Sequence, residues 1–341
     1  MHILAIAATA AICLASCTAK APKGKPETRQ FRTETLLKHT PVKDQRDSPL
    51  CWAYAMLATI ETEHIMEGDS VNLSPDFTAR QWLAEQARQS FLSGGSQPVS
   101  CRGMATTLLN LLSRYGTMPY DAYNSSTADY PAISRRIEMA AKASPSLGQA
   151  QRRADDILDQ AIGSLPQNVY MFGAEYTPLE FAHSVCMKGE YTALTSFTHH
   201  PFGQPFVLET PDNAMRDAFV NLPIDSLMAV AVRSIRAGHP VCWEGDITEA
   251  GFSFERGVAD TPSPRPCTQQ QRQRGFSLRR TTDDHAMALV GLARDSQGRL
   301  YFIAKNSWGT RNPYGGMMYL SENYVRLKTV ALVVKTELLW H

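Results

Sequence analysis

From Cys51 to about Glu67 the chain is apolar at nearly every early position: Trp52, Ala53, Tyr54, Ala55, Met56, Leu57, Ala58. That pattern predicts a helix buried on all sides rather than a surface helix with one apolar stripe. Leu108, Leu109, Leu111, Leu112 and Tyr115 recur at helical spacing within Met104–Tyr115, and Gly116 ends the run. Residues 132–163 are charged and alanine-rich, which predicts further helix. Leu227, Met228, Ala231, Val232 and Ile235 predict another helix, capped by Asp225 or Ser226 and closed by Gly238. The period then changes. Val241–Trp243, an alternating His285–Ala293, Leu300–Lys305, Gly316–Leu320 and Thr329–Leu339 read as strands, with a glycine-bearing turn over Asp295–Arg299. Helices first and strands second predict an α+β fold with a site between the two parts. No internal repeat is visible.

With 341 residues the chain can bury a full core. Its 34 basic and 33 acidic residues leave a net charge of +1, so the charge balance points to no nucleic-acid partner and no acidic substrate. The N-terminus carries a different signal. Ile3–Ala15 is almost wholly apolar and too short to span a bilayer, which suits a signal-peptide core. It ends in Leu14-Ala15-Ser16-Cys17, which resembles the cleavage and lipidation site of bacterial lipoproteins. The alternative is an ordinary secretory signal, and the leading segment offers only His2 as a basic group. Thr18–Glu27 is small, polar and bears Pro and Lys, as a tether would be.

There are seven cysteines. Cys13 leaves with the signal, Cys17 would carry lipid, and Cys51 opens the buried helix. Cys101, Cys186, Cys242 and Cys267 remain, either as disulfides in an oxidising compartment or as free buried thiols. Their spacing matches no zinc motif, and no metal or cofactor is expected.

Cys51 also has companions that carry chemistry. Gln45 lies six residues before it, Asp284-His285-Ala286 opens a strand, and Asn306-Ser307-Trp308-Gly309 follows the next strand. Hydrolysis by a thiol needs a thiolate, which backbone N–H groups and the positive end of a helix favour. An imidazole can form an ion pair with it and later protonate the leaving amine. An amide oxygen from Asn306 can fix the imidazole tautomer, Trp308 can shield that bond from water, and the Gln45 NH₂ can join the Cys51 N–H in holding an oxyanion. Alone, each residue has an ordinary structural reading. In this order and context they act together.

At these residues the chain resembles the papain family of cysteine peptidases, the C1 family. The long gap between Cys51 and His285 makes it most similar to the bleomycin hydrolase and aminopeptidase C branch, as do Thr177-Pro178-Leu179-Glu180-Phe181, Leu222-Pro223-Ile224-Asp225 and His285-Ala286-Met287. The preceding Asp284 is closer to papain itself. The resemblance implies a two-lobed fold, with a helical lobe and an antiparallel barrel-like β lobe around the active site. It implies nucleophile, base, orienting amide and oxyanion donor at Cys51, His285, Asn306 and Gln45. Two departures stand out. Ser48 occupies the place of a family cysteine, so Cys101 lacks its usual partner. Cys101-Arg102-Gly103-Met104 keeps one glycine of a Gly-Gly segment that lies beside the substrate, so Gly103 and Met104 are candidate substrate contacts, Met104 being equally the first core residue of its helix. Trp52 is a further candidate contact. Asp284 either tunes the ion pair or is a solvated surface carboxylate.

The domain reading is a signal over 1–16, a lipidated Cys17 and tether over 17–38, a helical lobe over 39–225 with an insertion at about 125–225, and a β-rich lobe over 226–341. The functional reading is a lipoprotein of the cell envelope that hydrolyses peptides or proteins outside the cytoplasm. The branch it resembles uses a longer C-terminal tail to enforce aminopeptidase action. The chain ends at Leu339-Trp340-His341, so cleavage within blocked peptides is favoured. The alternatives are a silent peptide-binding lipoprotein on the same fold, or an amidase or transglutaminase-like acyl-transfer enzyme.

Overall fold

A computed structural model describes residues 28–339 apart from Phe172, Pro262 and Pro264. The expected signal, Cys17, the tether as far as residue 27, Trp340 and His341 lie outside the described residues.

The chain opens with β1 (Phe31–Leu36) and then runs through five helices: α1 (Cys51–Glu67), α2 (Pro75–Leu92), α3 (Ala105–Tyr115), α4 (Tyr130–Lys142) and α5 (Leu147–Ala161). A small hairpin of β2 (Val169–Met171) and β3 (Ala174–Tyr176) leads to α6 (Pro178–Val185). Next come β4 (Tyr191–Thr195), β5 (Pro205–Val207), β6 (Ala218–Asn221), α7 (Ile224–Arg236) and β7 (Val241–Gly245). Short strands β8 (Phe252–Ser253) and β9 (Val258–Ala259) precede α8 (Gln269–Ser277). The chain ends with β10 (His285–Asp295), β11 (Leu300–Lys305), β12 (Met317–Ser321), α9 (Glu322–Lys328), β13 (Thr329–Lys335) and a 3₁₀ turn over Thr336–Leu339. The fold is α+β, as the sequence implied.

One mixed sheet organises the molecule, in the order β5-β6-β4-β13-β7-β10-β11-β12-β9-β8, with β1 also paired to β10. Sheet membership crosses residue 225, because β1 and β4–β6 belong to the same sheet as the later strands. The central strands differ from expectation in one respect. His285–Ala293 is buried at every position rather than alternately. Ala286 packs into the apolar cluster shared with the helices of the first half, whereas Met287 and Leu289 pack with α7 and α9 on the other face. A strand covered on both faces has no solvent side to mark with polar residues.

Helix boundaries follow local chemistry. The Ser74 side chain accepts the Phe77 N–H at 3.0 Å and Pro75 occupies the first turn of α2. That 18-residue helix carries no clear apolar stripe, which is why its pattern was not legible in the sequence. The start of α7 is Pro223, not Asp225 or Ser226: the fixed φ of proline sets the turn, and Asp225 sits in the first turn where its charge complements the helix dipole. Met104 precedes α3, and Gly116 follows it at a φ of 86°. A Cβ on Gly116 would lie 2.1 Å from the Pro178 carbonyl oxygen, so no other residue fits there without moving α6.

A buried carboxylate ties the site-bearing segments to α1. Glu61 accepts from Thr40 Oγ1 at 2.5 Å, Lys43 Nζ at 2.6 Å and the Leu73 N–H at 2.8 Å. Lys305 Nζ donates to Thr40 Oγ1 and lies 3.7 Å from Glu61. One side chain thereby holds the segment leading to Gln45 and the end of β11 leading to Asn306 against the helix that begins at Cys51. The four cysteines left open by the sequence, Cys101, Cys186, Cys242 and Cys267, are free thiols.

Candidate active site

Cys51 is the first residue of α1. Its preceding cap, Leu50, offers no side-chain acceptor to the first-turn N–H groups. The Ala53 and Tyr54 N–H groups bond the Leu50 carbonyl at 2.9 and 3.0 Å, which leaves those of Cys51 and Trp52 for a ligand or an anion at the helix end. α1 packs along β10, which brings His285, the first residue of that strand, to the same end of the molecule. β11 runs back antiparallel to β10 and stops at Lys305, so Asn306 returns to the level of His285. The 21-residue separation closes because the intervening hairpin reverses the chain.

His285 and Asn306 are joined by a 2.7 Å bond between Nε2 and Oδ1. The Ser307 N–H donates to the same Oδ1 at 2.8 Å. A backbone N–H can only donate, so that contact must be the amide oxygen, and the imidazole Nε2 must carry a proton. Nδ1 is then the free basic nitrogen. Trp308 lies over the ring with centroids 4.5 Å apart, as a shield would. Gln45 is held on three sides. Its N–H donates to the Ser307 carbonyl at 2.7 Å, its Oε1 accepts from Ser307 Oγ at 2.5 Å, and its Nε2 donates to the Ser48 carbonyl at 2.6 Å. A primary amide has two N–H donors, so one remains uncommitted.

Cys51, Gln45, Trp52, Gly103, Asp284, His285 and Trp308 line one cavity of about 450 Å³. Trp52 is anchored by donation from Nε1 to the Cys101 carbonyl at 2.9 Å. A Cβ on Gly103 would stand 3.0 Å from the Trp52 ring, so the glycine keeps the cavity wall flat there. Met104 is different. It is 0 % exposed, packs in the core and accepts from Thr210 Oγ1 through sulfur, so the sequence reading of it as a substrate contact is corrected in favour of the core reading. The cavity also includes Arg102, Asp212, Glu244 and Asp283, which sequence reasoning did not single out. The Asp283-Asp284 doublet before His285 was the available signal. Glu244, inside an apolar strand, was visible only as an isolated charge in a buried run.

Burial drives both reacting groups toward their neutral forms. The Cys51 thiol is pushed up to about 12, first by loss of water, then by the charge of Asp283. N–H groups of Ala286 and Trp52 pull it down by smaller amounts, and Glu244 pushes it up again. Burial lowers His285 to about 4 against the opposing effect of its bond to Asn306. The helix end thus does not by itself make a thiolate. Asp283 is the first carboxylate to act on the Cys51 sulfur, whereas Asp284, left open in the sequence between a tuning group and a solvated carboxylate, is not among the groups that shift it. Asp284 accepts from Thr282 Oγ1 at 2.9 Å, and burial raises its pKa.

Glu244 is 1 % exposed. Its Oε1 accepts the Ala105 N–H at the start of α3 at 2.7 Å, and its Oε2 has no partner. Burial raises its pKa to about 8, against the Ala105 bond and helped by Asp212. A carboxyl raised in this way is tolerated while protonated. Its contribution to stability is held below the ordinary value of 4.5 and lost as pH rises toward about 8. Glu244→Gln keeps the Ala105 bond and removes the charge. The variant is expected to unfold at higher temperature than the natural chain by an amount that grows between pH 5 and pH 9, on the order of 1–3 kcal/mol at the upper end. Thermal unfolding at pH 5, 7 and 9 checks this, and a gap independent of pH contradicts it.

Among the described residues, His199, His200 and Glu209 form the group that could hold a metal ion. They do not line the cavity. Gln273 Oε1 accepts the Thr198 N–H and its Nε2 donates to His199 Nδ1, which leaves the His199 proton on Nε2, facing Glu209. A protonated Nε2 is a donor, not a ligand, and the three side chains satisfy one another.

The fold and cavity define a two-lobed α+β protein with a thiol and an imidazole facing one cleft. The chain belongs to the Peptidase C1-like family, whose model matches residues 166–341, just over half of its length. It is 22% identical to the mitochondrial Cysteine proteinase 1 of Saccharomyces cerevisiae, over 91% of this chain and 77% of that one. Aminopeptidase E of Lactobacillus helveticus is 23% identical, over 87% and 81%. PepW of Lactobacillus rhamnosis shares the fold with a TM-score of 0.70 at 18% identity, covering 90% of this chain and 82% of that one. The protein is accordingly a member of a cysteine peptidase family.

Proposed function

We propose that this protein hydrolyses peptide bonds through Cys51, His285, Asn306 and Gln45. His285 Nδ1 takes the Cys51 proton as sulfur attacks the scissile carbonyl. The developing oxyanion is held by the Cys51 N–H and the spare Gln45 Nε2 proton. His285 then protonates the leaving amine, which departs and leaves a thioester on Cys51. Water, deprotonated by His285, releases the acid and restores the thiol. The observation that carries this reading is the His285–Asn306 bond beside Cys51 in a shared cavity, because it assigns the free nitrogen of the base. The silent-scaffold reading is disfavoured by the presence of all four groups in one connected arrangement.

The enzyme is proposed to cleave peptides with blocked amino termini. Among the described residues, the C-terminal turn Thr336–Leu339 packs on α7, where the Leu338 carbonyl accepts from Arg233 Nη2 at 2.6 Å, and it lines no part of the cavity. An N-acetylated peptide is expected to be hydrolysed as well as its free-amine twin, at whatever relative rate, with both activities removed by alkylation of Cys51. Rapid cleavage of the free-amine peptide with none of the acetylated one would establish a strict aminopeptidase instead.

Localisation at the cell envelope through lipid on Cys17 is a separate proposal, carried by Leu14-Ala15-Ser16-Cys17. Among the described residues no helix is long and apolar enough to cross a membrane. Cys17→Ala is expected to release the protein from membranes or leave its precursor uncleaved. Retention of the variant that detergent disrupts and salt does not would point to another anchor.

A further inference from the structure

We propose that the cleft selects substrates by a positive charge, which the carboxyl groups of Glu244 and Asp283 receive. This inference rests on the peptidase reading of the same cavity and names its substrate class.

Two carboxylate oxygens on that cavity, Glu244 Oε2 and Asp283 Oδ2, are buried and have no hydrogen-bond partner. Buried polar atoms are rarely left so, because each lost its water without a replacement. Glu244 cannot turn away to find one. It sits in β7, where all five residues are buried, and its Oε1 is fixed by Ala105. The neighbouring cation is already engaged. Arg102 Nε reaches both Asp212 oxygens at 2.8 and 3.0 Å, and its Nη2 donates to Asp212 at 2.6 Å and to the Asp283 carbonyl at 2.9 Å. It neutralises Asp212 and leaves Glu244 and Asp283 without a cation, so burial, and for Asp283 the neighbouring Glu244 as well, raises both carboxyl groups toward their protonated forms. Around the whole cavity, Asp47, Asp212, Glu244, Asp283 and Asp284 face only Arg46 and Arg102.

An ammonium or guanidinium group has the several N–H donors that two orphaned oxygens need, and its charge favours the ionised form of the pair, whose proton passes to water as the cation binds. A neutral donor can supply hydrogen bonds but no compensating charge, and an anionic side chain supplies neither. The same charges act on the nucleophile, since Asp283 and Glu244 both oppose ionisation of Cys51. A cation seated between them would offset that opposition, so the right substrate would also favour the thiolate. The cation can be the protonated α-amine of a peptide or the side chain of a Lys or Arg residue. Both present the same chemistry to the pair.

The test uses the full chain carrying Cys51→Ala, so that peptides bind without being cleaved, and reads dissociation constants. In one arm, N-acetylated peptides with arginine at each position before the scissile bond are compared with citrulline twins. In the other, the citrulline peptide is compared with and without its acetyl group. The expected result is at least about tenfold tighter binding of the cationic member in one arm. Preference in the first arm assigns the side chain, and preference in the second assigns the α-amine. Adding Glu244→Gln should remove most of the preference, and where that variant does not fold the Cys51→Ala measurements decide alone. Equal affinities in both arms, or no binding of any peptide, overturns the inference. Failure of the natural chain to hydrolyse any peptide while the preference persists would instead count against the peptidase reading alone.

Discussion

Cys51→Ala is expected to lower peptide hydrolysis by roughly 10⁴–10⁶-fold while leaving the fold intact. The loss is large because no other group can replace the sulfur. The remaining thiols, Cys101, Cys186, Cys242 and Cys267, are buried and do not line the cavity. The effect on stability is small because Cys51 is a half-buried residue on the cavity wall and the exchange removes a single sulfur atom. Measuring turnover and thermal unfolding on the same preparation checks both parts. Retained turnover at unchanged stability would remove Cys51 from the mechanism. Alkylation adds a second readout, since a thiol whose neighbours raise its pKa should react slowly unless His285 takes its proton.

His285→Ala is expected to cost about 10²–10⁴-fold in kcat/KM, and Asn306→Ala clearly less. In the proposed mechanism His285 performs the proton transfers, whereas Asn306 positions the ring. Without the Asn306 oxygen the Nε2 proton loses its acceptor, and both tautomers become available to a ring still held under Trp308. Part of the population would then present the correct nitrogen, so a fraction of the rate survives. Asn306→Asp separates positioning from packing, because its carboxylate can accept from both Nε2 and the Ser307 N–H. It should restore more activity than alanine does and raise the pKa seen in the acidic limb of the rate profile, since a nearby negative charge favours imidazolium. Equal losses in His285→Ala and Asn306→Ala at matched stability would show that the roles are wrongly assigned.

How much of this was legible in the sequence depends on the range of the interactions involved. α1 could be read closely because the apolar run from Trp52 to Ala58 is a local feature, whereas its closing residue, Gly68, is seen in the structure. α2 could not, since polar residues such as Glu85, Gln86 and Arg80 are buried in it through partners far along the chain. Gln45, Cys51, His285 and Asn306 were readable because each sits in its own short motif. Gln45, Cys51 and His285 share one cavity, and the reversal of β10 into β11 brings Asn306 to His285 behind it.

Other features belonged to the tertiary structure alone. Met104 beside Gly103 could face the cleft or the core, and only the packing of α3 placed it in the core. Asp283 and Asp284 are equivalent as a doublet, yet burial and proximity to Cys51 distinguish them. Glu244 becomes informative when β7 is paired with β10 and covered by α3, because a carboxylate has unusual chemistry only after its water is removed and no partner replaces it. The sequence by itself determined the fold class, the buried helix that opens at Cys51 and the candidate reacting groups, all of which depend on residue types in short contexts. Tertiary structure decided which charges share the cleft and which oxygens remain unpaired, because desolvation and electrostatic coupling depend on distances between segments remote in the chain.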